Sequence, residues 1–144
     1  MNVLCCPRCG EPIATDPPAP SLRCSAEAYE MFGRALARHR QEHFIVVAVD
    51  ARNRPLRRHL VSIGSLSACI VHPREVFAPL VRDRAAAAIL LHNHPSGSVG
   101  ASTEDIDLSK RLAEAGRLLG IPILDHLIVG KEGYCSLRDS GVLP

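Results

Sequence analysis

The chain has 144 residues and a formal net charge of +2, with 47% hydrophobic and 22% charged residues. That length argues for one domain with at most a short appendage, and the charge is too small to point to nucleic acid or an anionic membrane by itself. With no Trp, two Tyr and three Phe, any core must be built from aliphatic side chains.

No apolar run reaches the roughly 18 residues that span a bilayer, so no membrane segment is expected. Residues 1–10 have neither a basic stretch nor an apolar stretch of the secretory kind, which makes the cytoplasm the expected compartment. Thiols stay reduced there, and clustered cysteines more often bind metal than form disulfides.

Residues 1–24 differ from the rest. They hold four of the six cysteines, Cys5, Cys6, Cys9 and Cys24, and five of the eleven prolines. The proline run at 17–20 excludes helix and central strand, because proline lacks the amide donor. Cys6-Pro7-Arg8-Cys9-Gly10 has the turn chemistry of half a zinc ribbon, and a full site wants two such pairs. Cys5, Cys6, Cys9 and Cys24 are therefore candidate ligands of a second, structural zinc, against the plainer reading of an oxidation-prone tail.

Ser25 reads as the N-cap of a helix running to about residue 39, with Tyr29, Phe32, Leu36 and Met31 on its apolar side. Residues 43–50 read as a strand that is apolar without alternation, hence buried on both faces. A turn at 52–55 leads to an antiparallel return strand over 56–63. Four arginines, Arg52, Arg54, Arg57 and Arg58, crowd this hairpin. A solvated face is the plain reading and a phosphate-contacting patch the sharper one, without interleaved aromatics to stack bases.

Residues 65–72 carry no clear signal. Pro73 suits the first position of a helix over 74–83, where its missing amide costs nothing. Residues 85–91 form a second buried strand, and Ser102 caps a helix ending near Leu119, stopped by Gly120 and Pro122. Residues 123–129 and 134–137 supply two more strands. Strands and helices interleave, so the expected fold is α/β, a mixed central sheet flanked by helices. Cys69 and Cys135 are expected in or near its core.

The chemistry concentrates between residues 92 and 105. His92 and His94 lie two apart where a buried strand ends, so both rings point to one side. Pro95 then turns the chain out of the sheet. Asp105 falls in the first turn of the next helix, one turn from Ser102 and favoured by the helix N-terminus. Two nitrogens and one carboxylate suit zinc, and three protein ligands leave a fourth position open for water, as in catalytic rather than structural sites. Such a site needs a general base, and Ser102 is placed to donate to a developing oxyanion. Asp125-His126 interrupts a later strand; a hydrogen-bonded structural pair is the plain reading and an outer contact to the metal ligands the sharper one.

These residues resemble a known pattern. Gln41-Glu42-His43-Phe44, Val71-His72-Pro73-Arg74-Glu75-Val76-Phe77, His92-Asn93-His94-Pro95-Ser96-Gly97, Ser102-Thr103-Glu104-Asp105 and Leu124-Asp125-His126-Leu127-Ile128-Val129-Gly130 stand in the order found in the JAB/MPN domain of the JAMM metalloprotease superfamily, and within it the bacterial RadC family. The resemblance runs from about residue 25 to the C-terminus. It implies a JAB/MPN-like, cytidine-deaminase-like sandwich, zinc held by His92, His94 and Asp105, Glu42 as general base and Ser102 as oxyanion support. Glu75 competes with Glu42, but its place in a first helical turn is explained by the dipole alone.

The implied activity is hydrolysis of amide bonds, peptide or isopeptide, by a metal-activated water, with a peptide or protein conjugate as substrate. The family name implies an alternative, a DNA-associated accessory protein in repair or recombination. Two departures stand out. The loop after Ser96-Gly97 reads Ser98-Val99-Gly100-Ala101, where family members often carry an acidic residue and prolines. Longer members have an N-terminal helix-hairpin-helix region, and here the cysteine segment stands in its place.

Overall fold

The computed structural model describes residues 19–64 and 71–144. Among the described residues, five strands form one sheet: β1 His43–Val49, β2 Pro55–Ile63, β3 Ala87–Asn93, β4 Ile123–Val129 and β5 Tyr134–Ser136. Their order is β2-β1-β3-β4-β5. All pairings are antiparallel except β3 with β4, so the sheet is mixed, as expected. A parallel pair needs a crossover, and here the crossover is the long helix described below.

The two central strands β1 and β3 are buried almost end to end, which is what their unbroken apolar runs require. Edge strand β2 is mostly exposed. The β1–β2 turn is closed by Asp50, whose carboxylate accepts from the Arg52 and Arg54 amides at 2.8 and 2.9 Å and pairs with the Arg54 guanidinium at 2.7 Å.

Alternation along the strands sends each side chain to one of two cores. Phe44, Val46, Ala48, Ala88, Leu90 and Ile128 face two helices, which supply Val76, Phe77, Leu80, Leu108 and Leu112. Ile45, Val47, Ile89, Leu91 and Leu127 face the N-terminal helical segment and the residues before it, which together supply Leu22, Ala28 and Leu36. The result is a three-layer α/β sandwich with the sheet in the middle.

The N-terminal helical segment departs from the expected single helix. It comprises α1 Ser25–Ala28, a π-helical stretch Tyr29–Gly33 and α2 Arg34–Leu36, and ends about three residues early. Its N-cap is Cys24, in an extended conformation, and Ser25 is already helical. Ser25 does not cap because its hydroxyl is engaged elsewhere, donating to Asp139 at 2.5 Å and lying 3.1 Å from the Tyr134 hydroxyl. Met31 is exposed rather than part of the apolar side.

Helix α3, Pro73–Arg82, begins at Pro73, with the His72 ring accepting from the Arg74 amide at 3.2 Å. Helix α4, Thr103–Leu119, is the β3–β4 crossover. Ser102 caps it, and Gly120 closes it at φ 72, a left-handed conformation that costs least without a Cβ. The β3 strand starts at Ala87 and runs on through Asn93, two residues further than expected, because its ladder to β4 continues to the Asn93–Val129 pair. Cys135 is half-buried against the α3/α4 core, while Cys69 lies outside the described residues.

Candidate metal centre

His92 occupies the row of Ala88 and Leu90, so the pleat points it at the α3/α4 side, where it is fully buried. His94 follows the end of the strand, its amide still paired with the Val129 carbonyl at 2.9 Å. Asp105 enters from the first turn of α4 and is also buried. His92 Nε2 and His94 Nε2 are 3.0 Å apart, and each lies 3.3 Å from an Asp105 carboxylate oxygen. One ligand atom from each of the three lies within 4.8 Å of the others, which makes them a group that could hold a metal ion.

The surroundings fix how each ligand presents itself. Ser102 and Asp105 form a capping box: the Ser102 hydroxyl accepts from the Asp105 amide at 3.1 Å, and Asp105 Oδ2 accepts from the Ser102 amide at 2.9 Å. Oδ2 thus meets both the Ser102 amide and His94, and Oδ1 is the oxygen turned toward His92. Burial alone would push this carboxyl's pKa up, but the His92 imidazole and the Ser102 amide and hydroxyl outweigh it and hold Asp105 well below the usual carboxylate range. The ligand oxygen is therefore anionic at neutral pH.

His94 Nδ1 lies 3.2 Å from the Ser98 carbonyl. A carbonyl only accepts, so Nδ1 carries the hydrogen of this contact and Nε2 is the nitrogen left for the centre. Loop 95–101 is held in place by close approach to the β4–β5 turn. A Cβ on Gly130 would sit 2.5 Å from the Gly97 carbonyl oxygen and 2.6 Å from Val99. Only the missing side chain lets the loop lie there.

Asp125 and His126 do not act as a pair. Neighbours in a strand face opposite sides, and these do. Asp125 accepts from the His126 and Arg138 amides and the Ser136 hydroxyl, at 2.7, 3.1 and 2.6 Å, and so ties β4 to β5 and to the chain after it. His126 faces the metal group, its Nε2 2.7 Å from His92 Nδ1. Its burial, with His92 nearby, pushes its pKa well below the ordinary histidine value, so it is neutral.

Three participants were not singled out in the sequence. Ser109, fully buried, lies 2.5 Å from His126 Nδ1; its signal was its position four after Asp105, on the same helix face. Asn93 bonds the start of β1 and the segment before it, and a buried amide between two histidines was the clue. The Ser98 carbonyl is backbone and leaves no mark in sequence.

The other expected residues fall as follows. Glu42 is half-buried, directly before β1, and its carbonyl accepts from the Gly64 amide at 2.8 Å. Phe44 pairs with His92, and continuing that antiparallel register by two residues sets Glu42 across from His94. Phe44 and Val46 face α3 and α4, and Glu42 stands just ahead of the first strand residue, His43. Glu75 is exposed beside Arg74. Arg54 pairs with Asp50 and Arg57 lies 3.9 Å from Asp83, while Arg52 and Arg58 are exposed. Cys24 is exposed, and Cys5, Cys6 and Cys9 lie outside the described residues. Among the described residues, no helix is long and apolar enough to cross a membrane.

With this geometry in hand, the comparisons with known proteins agree. A family profile described as a RadC-like JAB domain matches residues 22–142. A UPF0758 protein of Syntrophotalea carbinolica is 54% identical over 112 residues, covering 78% of this chain and 49% of the relative. One of Trichlorobacter lovleyi is 49% identical over 118 residues, covering 82% of this chain and 51% of the relative. One of Rubrobacter xylanophilus is 43% identical over 131 residues, covering 91% and 57%. The chain thus spans about half the length of the curated relatives it matches.

Proposed function

The chain belongs to the RadC-like JAB family, and from that premise we propose that it is a zinc-dependent hydrolase of amide bonds, peptide or isopeptide. The observation that carries this reading is the meeting of His92 Nε2, His94 Nε2 and an Asp105 oxygen in one small volume. Two imidazole nitrogens and one carboxylate form a donor set that fits zinc and leaves a coordination position open.

Zinc held there would supply Lewis acidity, lowering the pKa of a bound water to about 7 and polarising a scissile carbonyl. In this reading Glu42 takes the proton from the attacking water and returns it to the departing amine. The Ser102 hydroxyl accepts from the Asp105 amide, so its own hydrogen is available to the oxyanion that forms at the carbonyl carbon. Asp105, held anionic, draws no proton from either.

The alternative of a DNA-associated accessory role draws on the family name. Two of the four hairpin arginines have carboxylate neighbours, and the site chemistry favours amide hydrolysis. The same reading sets the reaction in the cytoplasm and gives the N-terminal cysteines Cys5, Cys6, Cys9 and Cys24 a separate structural zinc.

Elemental analysis of protein purified without chelator tests both metals. The central site should give about one zinc per chain, and Cys6→Ser/Cys9→Ser should lower the total by about one if the cysteines hold another. Glu42→Gln should keep the central zinc and lose about 10²- to 10⁴-fold in rate on a panel of peptides and isopeptide-linked conjugates. Wild type that neither contains nor takes up metal overturns the reading.

A further inference from the structure

We infer that His126 and Ser109 are positioning residues that decide which nitrogen of His92 is free to bind a metal. The inference deepens the metal-site reading above and rests on it. It follows from a chain of short contacts among groups that water does not reach: His92, His126 and Ser109 are all 0% exposed.

The chain can be ordered from its far end. Ser109 Oγ lies 2.6 Å from the Asp105 backbone oxygen. Two oxygens that close need a hydrogen between them, and a carbonyl has none to give, so the Ser109 hydroxyl donates to Asp105. That spends its only hydrogen. The contact between Ser109 Oγ and His126 Nδ1, at 2.5 Å, must then be bridged by a hydrogen on His126 Nδ1. A second proton on His126 would place a charge among fully buried groups, so its Nε2 carries a lone pair.

That lone pair faces His92 Nδ1 at 2.7 Å, and the hydrogen in this contact must come from His92. With the hydrogen of that contact on Nδ1, the nitrogen of His92 left to take a metal is Nε2, the atom that faces Asp105 Oδ1 and His94 Nε2. Every hydrogen in the chain points away from the centre. The order starts at a helix carbonyl that cannot reverse, and it passes through Ser109 and His126 to a ligand on another element. A buried partner of this kind both orients a metal-binding imidazole and raises its basicity.

Ser109→Ala removes the acceptor for His126 Nδ1–H. His126 then gains by moving its hydrogen to Nε2 and donating to His92 Nδ1, which forces a hydrogen onto His92 Nε2, where a metal must bind. Proton–nitrogen correlation spectra of the imidazoles in the zinc-free full chain should show His126 as the Nδ1–H form in wild type and the Nε2–H form in Ser109→Ala. Zinc titration of Ser109→Ala should show affinity weakened about 10- to 100-fold.

His126 found as the Nε2–H form in wild type overturns the inference, and so does zinc affinity in folded Ser109→Ala within about twofold of wild type. If the variant does not fold, the wild-type spectrum alone decides. If wild type takes up no zinc, the metal reading fails, and the His126 tautomer still decides the hydrogen order.

Discussion

The Asn93 side chain accepts the backbone amide of His43 at 2.7 Å and so fastens the end of the strand that carries His92 to the start of the strand that follows Glu42. Its amide nitrogen donates to the carbonyls of His39 and Gln41 at 3.3 and 3.1 Å. Asn93 alternates with His92 and points to the opposite side of the sheet, so it holds the Glu42 segment without entering the metal group. Asn93→Ala would take the acceptor from the part-buried His43 amide and the donor from the His39 carbonyl, while the Gln41 carbonyl keeps the His43 ring at 3.0 Å. An orphaned buried group costs about 1–3 kcal/mol, and denaturant unfolding should show a loss of that order. Zinc stoichiometry should be unchanged, because no metal ligand is touched, while the rate should fall as Glu42 loses its fixed placement. Unchanged stability would show that the clamp contributes nothing.

The grouping of His92, His94 and Asp105 was legible in sequence because their spacing encodes geometry directly. Two residues apart in a strand means one side, and three residues after an N-cap means one helical turn. Ser102 and Asp105 satisfied both a capping rule and a ligand rule, and the structure shows the box formed. The partners beyond the ligands were harder, because they depend on which strand lies beside which. Asp125 and His126 are adjacent in sequence, yet one braces β5 and the other backs His92, a split that follows only once the pleat is assigned. The N-terminal helix shows a different failure. Ser25 has the right side chain for a cap, but tertiary partners more than a hundred residues away, Tyr134 and Asp139, take its hydroxyl.

Acid should separate Asp105 from an ordinary surface carboxylate. Its pKa is depressed in the folded chain, so the unfolded state binds a proton first as pH falls. The stabilisation is present in full above the unfolded carboxylate value, about 3.9, and is lost as pH drops from there toward the folded value. Asp105→Asn removes this term. In metal-free protein, the stability gap between wild type and Asp105→Asn should therefore shrink as pH falls below about 4. A gap that does not change over that acid range would contradict the depressed pKa.

Gly130→Ala tests whether loop 95–101 must lie where it does. The added Cβ meets backbone, the Gly97 carbonyl oxygen at 2.5 Å, so relief requires the loop itself to move. Displacing it shifts the Ser98 carbonyl that holds His94 Nδ1. Overpacking of this kind costs about 1–3 kcal/mol; a lower melting temperature and weaker zinc binding are expected together. Gly133→Ala, three residues on, meets nothing within 4 Å and should change neither. Equal behaviour of the two variants would mean that the loop adapts freely and does not set His94.

Ser102 carries a capping role that the structure shows and an oxyanion role that the proposed reaction requires, and two substitutions separate them. Ser102→Ala loses the acceptor for the Asp105 amide, an N-cap loss of about 1 kcal/mol, and loses the hydroxyl donor as well. Ser102→Gly is tolerated at an N-cap within a few tenths of a kcal/mol, yet it also lacks the hydroxyl. If the hydroxyl only caps the helix, Ser102→Gly should be nearly as stable and as active as wild type. If it stabilises the oxyanion, Ser102→Gly should unfold near the wild-type midpoint and still lose about 10²- to 10³-fold in kcat with KM little changed. Urea unfolding run beside the kinetics distinguishes the two, and the proposed chemistry predicts the second outcome.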